Sequence, residues 1–359
     1  MNVILGHNNY GKSRVRLLRV TRREQQHEVK DLTFSIQFEG DFEAAHIAGD
    51  NRKILPTDTI KNTLYVLAKQ FPVEPIEDFS MHLIEHFLTD NAQISKVRVL
   101  AAEKYWNRIP IGGRSHRFAF ASAGDENKIL PTDTIKNTLY VLAKQFPVEP
   151  IEDFSMHLIE HFLTDNAQIS KVRVLAAEKY WNRIPIGGRS HRFAFASAGD
   201  EKRTSEVEGT REEFRIRAGI ENLIVLKTAQ SAFEGFLRDP YTTLGDTHDR
   251  ILSTNLRAHW LYEGDEIPFS QTWHGVRQVL LETFADHDSR SLQHTLYAMG
   301  EAILKNFDPI REIRLSLPNQ HYNLVDLSPF GLTNENAIFL PIDEPHGLIE
   351  ATLKKSRPK

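Results

Sequence analysis

The sequence predicts an α+β fold. It reads as two β-β-α-α-β-β units, each an antiparallel sheet with two helices on one face, plus an extra α-α-β-β segment. Three observations carry this. Apolar residues alternate with a period of two, shift to helical spacing, and then alternate again, and this happens once in each half of the chain. The block at residues 53–126 recurs letter for letter at 128–201. With one copy set aside, the two halves show the same order of elements without sharing sequence.

The elements follow in order. Residues 13–22 alternate through Val15, Leu17 and Val20 and read as a strand, as do residues 32–38 through Leu32, Phe34, Ile36 and Phe38. Ile60, Leu64, Leu67, Ala68 and Phe71 then fall at helical spacing behind Pro56-Thr57-Asp58, a start that can cap a helix. Ile76, Phe79, Leu83, Ile84 and Phe87 mark a second amphipathic helix. Residues 96–109 and 116–122 return to strand character, so the repeated block is the α-α-β-β part of the first unit. In the second half, residues 213–218, 223–228 and 255–262 read as strands, and 271–285 and 291–305 as helices. Residues 310–317 and 321–327 read as the closing strands. The repeat sets the boundaries: an N-terminal unit over 1–126, the duplicated segment over 127–201, and a C-terminal unit over 202–359.

Composition excludes several function classes. A net charge of −4 gives no basic footprint for nucleic acid. No apolar run approaches the length of a membrane span. The start, MNVILGHNNYGK, lacks the pattern of a secretory signal, and the KKSRPK end is not the S-K-L address, so a cytoplasmic location is expected. With no cysteine, disulfides, thiol nucleophiles and thiolate metal sites are all excluded.

Two motifs are misleading. Residues 6–13, GHNNYGKS, match the phosphate-binding pattern G-x-x-x-x-G-K-[ST]. A P-loop needs a buried strand before it and a helix after it; here an alternating strand follows. Residues 82–86, HLIEH, match H-x-x-E-H, a zinc peptidase pattern. His82 and His86 share a helical face beside the apolar stripe, no third ligand is evident, and the reading is solvent-side histidines with no metal.

Six other segments point elsewhere: YGKSRVRL at 10–17, PTDTIKNT at 56–63, AFEGFLRDPYTTL at 232–244, THDRILST at 247–254, SLQHTLY at 291–297 and SLPNQHYNLVDL at 316–327. In this combination and order, the chain resembles the urate oxidase family. The resemblance implies the tunnelling fold, with two β-β-α-α-β-β domains per subunit in a homotetramer. It also implies active sites at subunit interfaces, the Lys-Thr side coming from one chain and the Arg-Gln side from another.

The resemblance assigns roles residue by residue. Arg250 and Gln293 match the pair that grips the edge of urate, a flat anion suited to a planar guanidinium fork and an amide. Phe233 matches the aromatic that stacks on the purine face. Leu244 and the backbone of Leu292 match wall positions, the leucine at 292 being a conservative departure. Lys12, Thr57 and His321 match a proton relay, in which a lysine held neutral by desolvation accepts a proton through the threonine. Asn319 matches the side chain that holds dioxygen or the attacking water, and Asp58 a position whose backbone contacts urate. The implied reaction turns urate, O2 and water into 5-hydroxyisourate and H2O2 without metal or organic cofactor.

The repeat places the Thr-Asp pair a second time, at Thr132 and Asp133. Only one copy can pack under the N-terminal hairpin. The polar, Gly-containing junctions GDNR, GDEN and GDEKR read as loops, which lets either copy loop out. Closing the longer loop costs about 2.4 kcal/mol at about 0.6 per doubling. The first copy is expected to dock because it lies next to the hairpin. The spare copy then exposes an apolar stripe and strand edges able to pair with another chain, swap or aggregate. Two other readings remain open: a non-catalytic assembly protein disabled by the duplication, and a tunnelling-fold enzyme acting on pterins.

Overall fold

The computed structural model describes residues 3–22, 27–104 and 132–356. Its centre is one antiparallel sheet. The strands are β1 (Val3–Arg22), β2 (His27–Gly40), β3 (Ile94–Lys104), β4 (Val172–Ile186), β5 (Arg189–Gly209), β6 (Phe214–Lys227), β7 (Leu252–Tyr262), β8 (Ile310–Leu324) and β9 (Phe339–Lys355). Their order across the sheet is β3-β2-β1-β9-β8-β7-β6-β5-β4. Helices α1 (Glu43–Ile47), α2 (Thr57–Gln70), α3 (Ile76–Asp90), α4 (Thr132–Gln145), α5 (Ile151–Asp165), α6 (Phe269–Asp286) and α7 (Leu292–Asn306) complete the described elements. Among the described residues, no helix is long and apolar enough to cross a membrane.

The core lies between helices and sheet. Alternation puts Leu32, Phe34, Ile36 and Phe38 of β2 on one face, all fully buried. Helical spacing puts Phe79, Leu83 and Phe87 of α3 opposite them, and edge-on aromatic contacts join Phe34 to Phe79 at 5.6 Å. On the other side of β1, Leu296, Met299 and Ile303 of α7 cover Leu315 and Leu317 of β8 and Leu353 of β9. Gly300 lets α7 sit close to the sheet, since a methyl group there would lie 2.9 Å from Leu353. Each large apolar side chain so buried contributes about 1.5–3 kcal/mol.

Three sequence expectations are corrected. Residues 310–317 and 321–327 do not form two closing strands. They merge into β8, which ends at Leu324, and the last strand is β9. Pro341, Pro345 and Gly347 interrupt the apolar pattern of β9 and hide it. The junction GDEKR is not a loop. Gly199, at φ 107°, sits in a bulge where the β4–β5 register shifts between Lys179 and Trp181, and the chain continues as β5. The repeat therefore ends in mid-strand. Thr57 does not cap its helix. Pro56 occupies that position and Thr57 is the first helical residue. The expected strand over 116–122, and residues 105–109 of the strand before it, lie outside the described residues.

The two copies meet different surroundings. The first supplies α2, α3 and β3 beside β2. The second supplies α4, α5 and β4 and joins the opposite end of the sheet through β5 and β6. There α5 places Glu152 in a fully buried ion pair, its Oε2 accepting from Arg203 Nη2 at 2.6 Å. Leu64 is 0% exposed in α2, whereas its twin Leu139 in α4 is 40% exposed. Leu64→Ala is expected to cost about 2–5 kcal/mol, and Leu139→Ala under about 1 kcal/mol, in urea unfolding of dilute chain. Equal costs would contradict the asymmetry.

Candidate functional site

Strand β9 brings the two halves of the chain together. It pairs with β1, setting Lys12 opposite Gly347, and with β8, setting Asn319 opposite the same Gly347. Two irregularities aim the side chains. The β1–β2 register shifts between Lys12 and Val15, with Arg14 at φ 59°, and the β8–β9 register shifts between Asn319 and His321. Asn319 and His321, two apart on β8, share a face. Lys12 Nζ then lies 3.0 Å from His321 Nε2. A methyl group on Gly347 would sit 3.0 Å from Thr57 Oγ1, so the missing Cβ is what lets α2 approach the sheet here.

Lys12, Thr57, Asp58, Phe233, Leu244, Arg250, Leu292, Gln293, Asn319 and His321 all line one cavity of about 190 Å³. Every residue to which the family resemblance assigns a role outside the second copy is therefore at one place. Thr132 and Asp133 are not; both lie exposed on α4. The GHNNYGKS segment is part of β1, and of its residues Lys12 alone lines this cavity. In HLIEH, the His82 ring stacks on Phe71 at 4.8 Å, and His86 Nδ1 meets Asp90 at 3.2 Å. Among the described residues, no cluster of three or more His, Asp or Glu side chains is placed to hold a metal ion.

One wall is aromatic and cationic. Phe233 stacks on Phe236, with centroids 4.8 Å apart and planes 15° apart. A two-residue bridge holds it: Phe233 N–H donates to the Thr247 carbonyl at 2.7 Å, and Thr247 N–H returns the bond at 3.0 Å. The Arg250 guanidinium lies 5.1 Å from the Phe233 ring centre. Arg250 Nε is buried with no protein acceptor, and burial pulls the guanidinium down to about 10, which still leaves it charged at neutral pH.

Two helices start at the cavity. At the N-terminus of α2, Thr57 and Asp58 have backbone N–H groups without an intrahelical acceptor; at the N-terminus of α7, Leu292 and Gln293 do likewise. Ser291 caps α7, its hydroxyl accepting from His294 N–H at 3.2 Å. Both helix dipoles present their positive ends to the cavity. The 239–243 turn sews α2 to the C-terminal half: Asn62 Nδ2 donates to the Tyr241 carbonyl and to Thr243 Oγ1, both at 3.1 Å, and Thr59 Oγ1 donates to Thr242 Oγ1 at 3.1 Å. Asn51 Nδ2 also donates to the Arg290 carbonyl at 2.9 Å.

The charges are unusual for a buried site. Burial pushes Lys12 from 10.5 down to about 8; the Asp58 charge opposes this and the Lys61 charge adds to it. Burial, with the charges of Lys12 and Arg250, pushes His321 down to about 3. A neutral His321 accepts at Nε2 from the Lys12 ammonium, which puts its own proton on Nδ1. Asp58 is raised by burial but brought below its ordinary range by the Lys61 hydrogen bond and by the charges of Lys61, Lys12 and His321. Arg250, two helix N-termini, Lys12 and Lys61 thus surround a cavity in which Asp58, the one lining carboxylate among the described residues, is already paired with Lys61. A flat anion of modest size suits this field.

Sequence reading missed Lys61 and Gly347. The i, i+3 spacing of Asp58 and Lys61 in TDTIK was a usable signal. No pattern around Gly347 marked its contact with Thr57.

Comparison with known proteins then decides the family. The family model for uricase matches residues 8–127, 117–208 and 216–350. The uricase of Arthrobacter globiformis is 36% identical over 353 residues, covering 98% of this chain and 90% of that protein. The chain belongs to the uricase family. Rabbit (Oryctolagus cuniculus) uricase is 40% identical over 239 residues, covering 65% of this chain and 80% of its own length. The crystal structure of the A. globiformis uricase matches all of this chain and 98% of its own at a TM-score of 0.59 and 35% identity. That of a uricase from Bacillus fastidious matches at a TM-score of 0.54 and 19% identity, over 96% of this chain and 93% of its own, which supports the fold alone. The first two segments matched by the family model each contain one copy of the repeat. The resemblance puts the Lys-Thr and Arg-Gln sides of the site on different subunits, whereas here one chain brings both into a single cavity.

The low value for Lys12 has a measurable consequence. The unfolded chain keeps that proton up to about 10.5 and the folded chain only to about 8, so unfolding takes up a proton between these values. Raising pH from about 8 to 10.5 is therefore expected to stabilise the wild type relative to Lys12→Met. A stability difference that stays flat across this window, read by urea unfolding, would contradict the assignment.

Proposed function

We propose that this chain is a cofactor-independent urate oxidase, converting urate, O2 and water to 5-hydroxyisourate and H2O2. The observation that carries the reading is the convergence, in one cavity, of the Lys12–His321 pair at 3.0 Å with Arg250, Phe233 and two helix N-termini. Urate enters as an anion. Arg250 and Gln293 hold one edge, Phe233 supports a face, and Leu244 and Leu292 close the sides. The free N–H groups of Thr57 and Asp58 meet the opposite edge.

Chemistry begins with proton removal. Lys12, its amine accessible near pH 8, takes the proton through Thr57 and passes it along His321. The electron-rich dianion that results gives two electrons to dioxygen, positioned by Asn319. The protons return to make H2O2, and water adds to the ring. The chain's contribution is placement, deprotonation and a fixed positive field where negative charge builds up. The assembly that goes with this reading is a homotetramer.

The test is urate consumption, followed by its ultraviolet absorbance, with hydrogen peroxide measured alongside. One peroxide per urate is expected. Arg250→Ala should lower kcat/KM by at least about 30-fold, the roughly 2 kcal/mol of one charged hydrogen bond. A folded chain that leaves urate intact, or consumes it without peroxide, overturns the proposal.

A further inference from the structure

Because the two copies are identical, each shows what surface the other was shaped to meet. In the first, Ile60 and Leu64 are 0% exposed under the β1–β2 hairpin; their twins Ile135 and Leu139 are 42% and 40% exposed. β3 pairs with β2, while among the described residues the equivalent edge of β4 has no partner strand. The other flank shows the reverse. Leu88 is 40% exposed in α3, but its twin Leu163 is 4% exposed in α5, beside Ile159 and the buried Glu152. Among the described residues, each copy is covered on the flank that the other leaves bare.

We propose that the bare flank of the second copy, the α4 face together with the outer edge of β4, is a docking site for the β1–β2 hairpin of a second copy of this chain. The register is already written in the first copy. Phe34 opposite Ala101 and Ile36 opposite Val99 transpose to Ala176 and Val174. Polar contacts transpose too: Arg19 Nη1 donates to the carbonyls of Ala68 at 3.1 Å and Phe71 at 2.7 Å, and Ala143 and Phe146 offer the same pair. The chain's own hairpin lies at the far end of the sheet from β4, held between β9 and β3. A second chain's hairpin reaches the site by exchange, leaving its own first copy while β1 stays on its own β9.

Such an exchange replaces one set of contacts with an identical set, as in domain swapping. It leaves one copy covered on both flanks and the displaced first copy bare and free to recover chain entropy. The open sheet edge moves from β4 of one chain to the displaced β3 of the other. On the urate oxidase reading, Thr132 and Asp133 of one chain then take the place of Thr57 and Asp58 beside the other chain's Lys12.

The absence of cysteine makes a clean test possible. Ser35 lies opposite Leu100, so Leu175 is the transposed partner. Ser35→Cys with Leu175→Cys is expected to form a reducible covalent dimer under mild oxidation. Ser35→Cys with Leu100→Cys, the control, closes within one chain. Adding Ile135→Glu and Leu139→Glu should lower the dimer yield at least tenfold. The proposal is overturned if the Ser35/Leu175 variant keeps single-chain mass while the control closes. It is also overturned if the dimer forms undiminished with the charged α4 face, since that would mark pairing of bare edges without the hairpin seat. Neither readout requires urate turnover, so failure here is distinct from failure of the enzymatic reading.

Discussion

Strand β9 is the constraint on which the rest depends. It lies between β1 and β8, and its Gly347 stands opposite Lys12 on one side and Asn319 on the other. Without that strand the N-terminal hairpin and the C-terminal sheet share no edge. With it, residues more than 300 positions apart come to hydrogen-bonding distance, as Lys12 and His321 do. The missing Cβ at Gly347 then admits Thr57, so a single backbone position sets the spacing among Lys12, Asn319 and Thr57. A long antiparallel ladder holds this placement more rigidly than a loop does.

Burial gives the placement its chemical meaning. An exposed lysine holds its proton far above neutral pH, but Lys12 is buried at the cavity wall beside Thr57 and is brought to about 8. The same burial keeps His321 neutral, a partner that accepts from Lys12 rather than repelling it. Arg250 stays cationic over the Phe233 ring, 5.1 Å from its centre. Asp58 is occupied by Lys61 and adds little repulsion. Desolvation, fixed dipoles and one retained cation thus act in the same direction.

Much of the fold was legible. Alternation in β2, helical spacing in α2, α3 and α7, and the α+β order all follow from where apolar residues recur. β9 was not legible, because two prolines and a glycine break its alternation at the register shift that builds the site. The bulge at Gly199 looked like a turn, since the same residue type serves both. The individual site residues came from family resemblance; on their own, Gln293 and Asn319 carry no signal. Which copy meets Lys12 has no residue pattern to mark it, because identical letters have identical propensities; only chain order, with the first copy next to the hairpin, pointed to Thr57. Connectivity and the neighbouring hairpin decide it, putting Thr57 in the cavity and Thr132 on the surface.

The central claim is that one chain supplies both sides of a site. Mixing two inactive variants tests it most directly. Lys12→Ala and Arg250→Ala chains, co-expressed so that they assemble together, are expected to stay as inactive towards urate as either alone, because every cavity keeps its defect. Recovery of activity towards a quarter of the wild-type level would show that the Lys12 and Arg250 sides come from different chains, and would contradict the β1–β9 pairing as the source of the site.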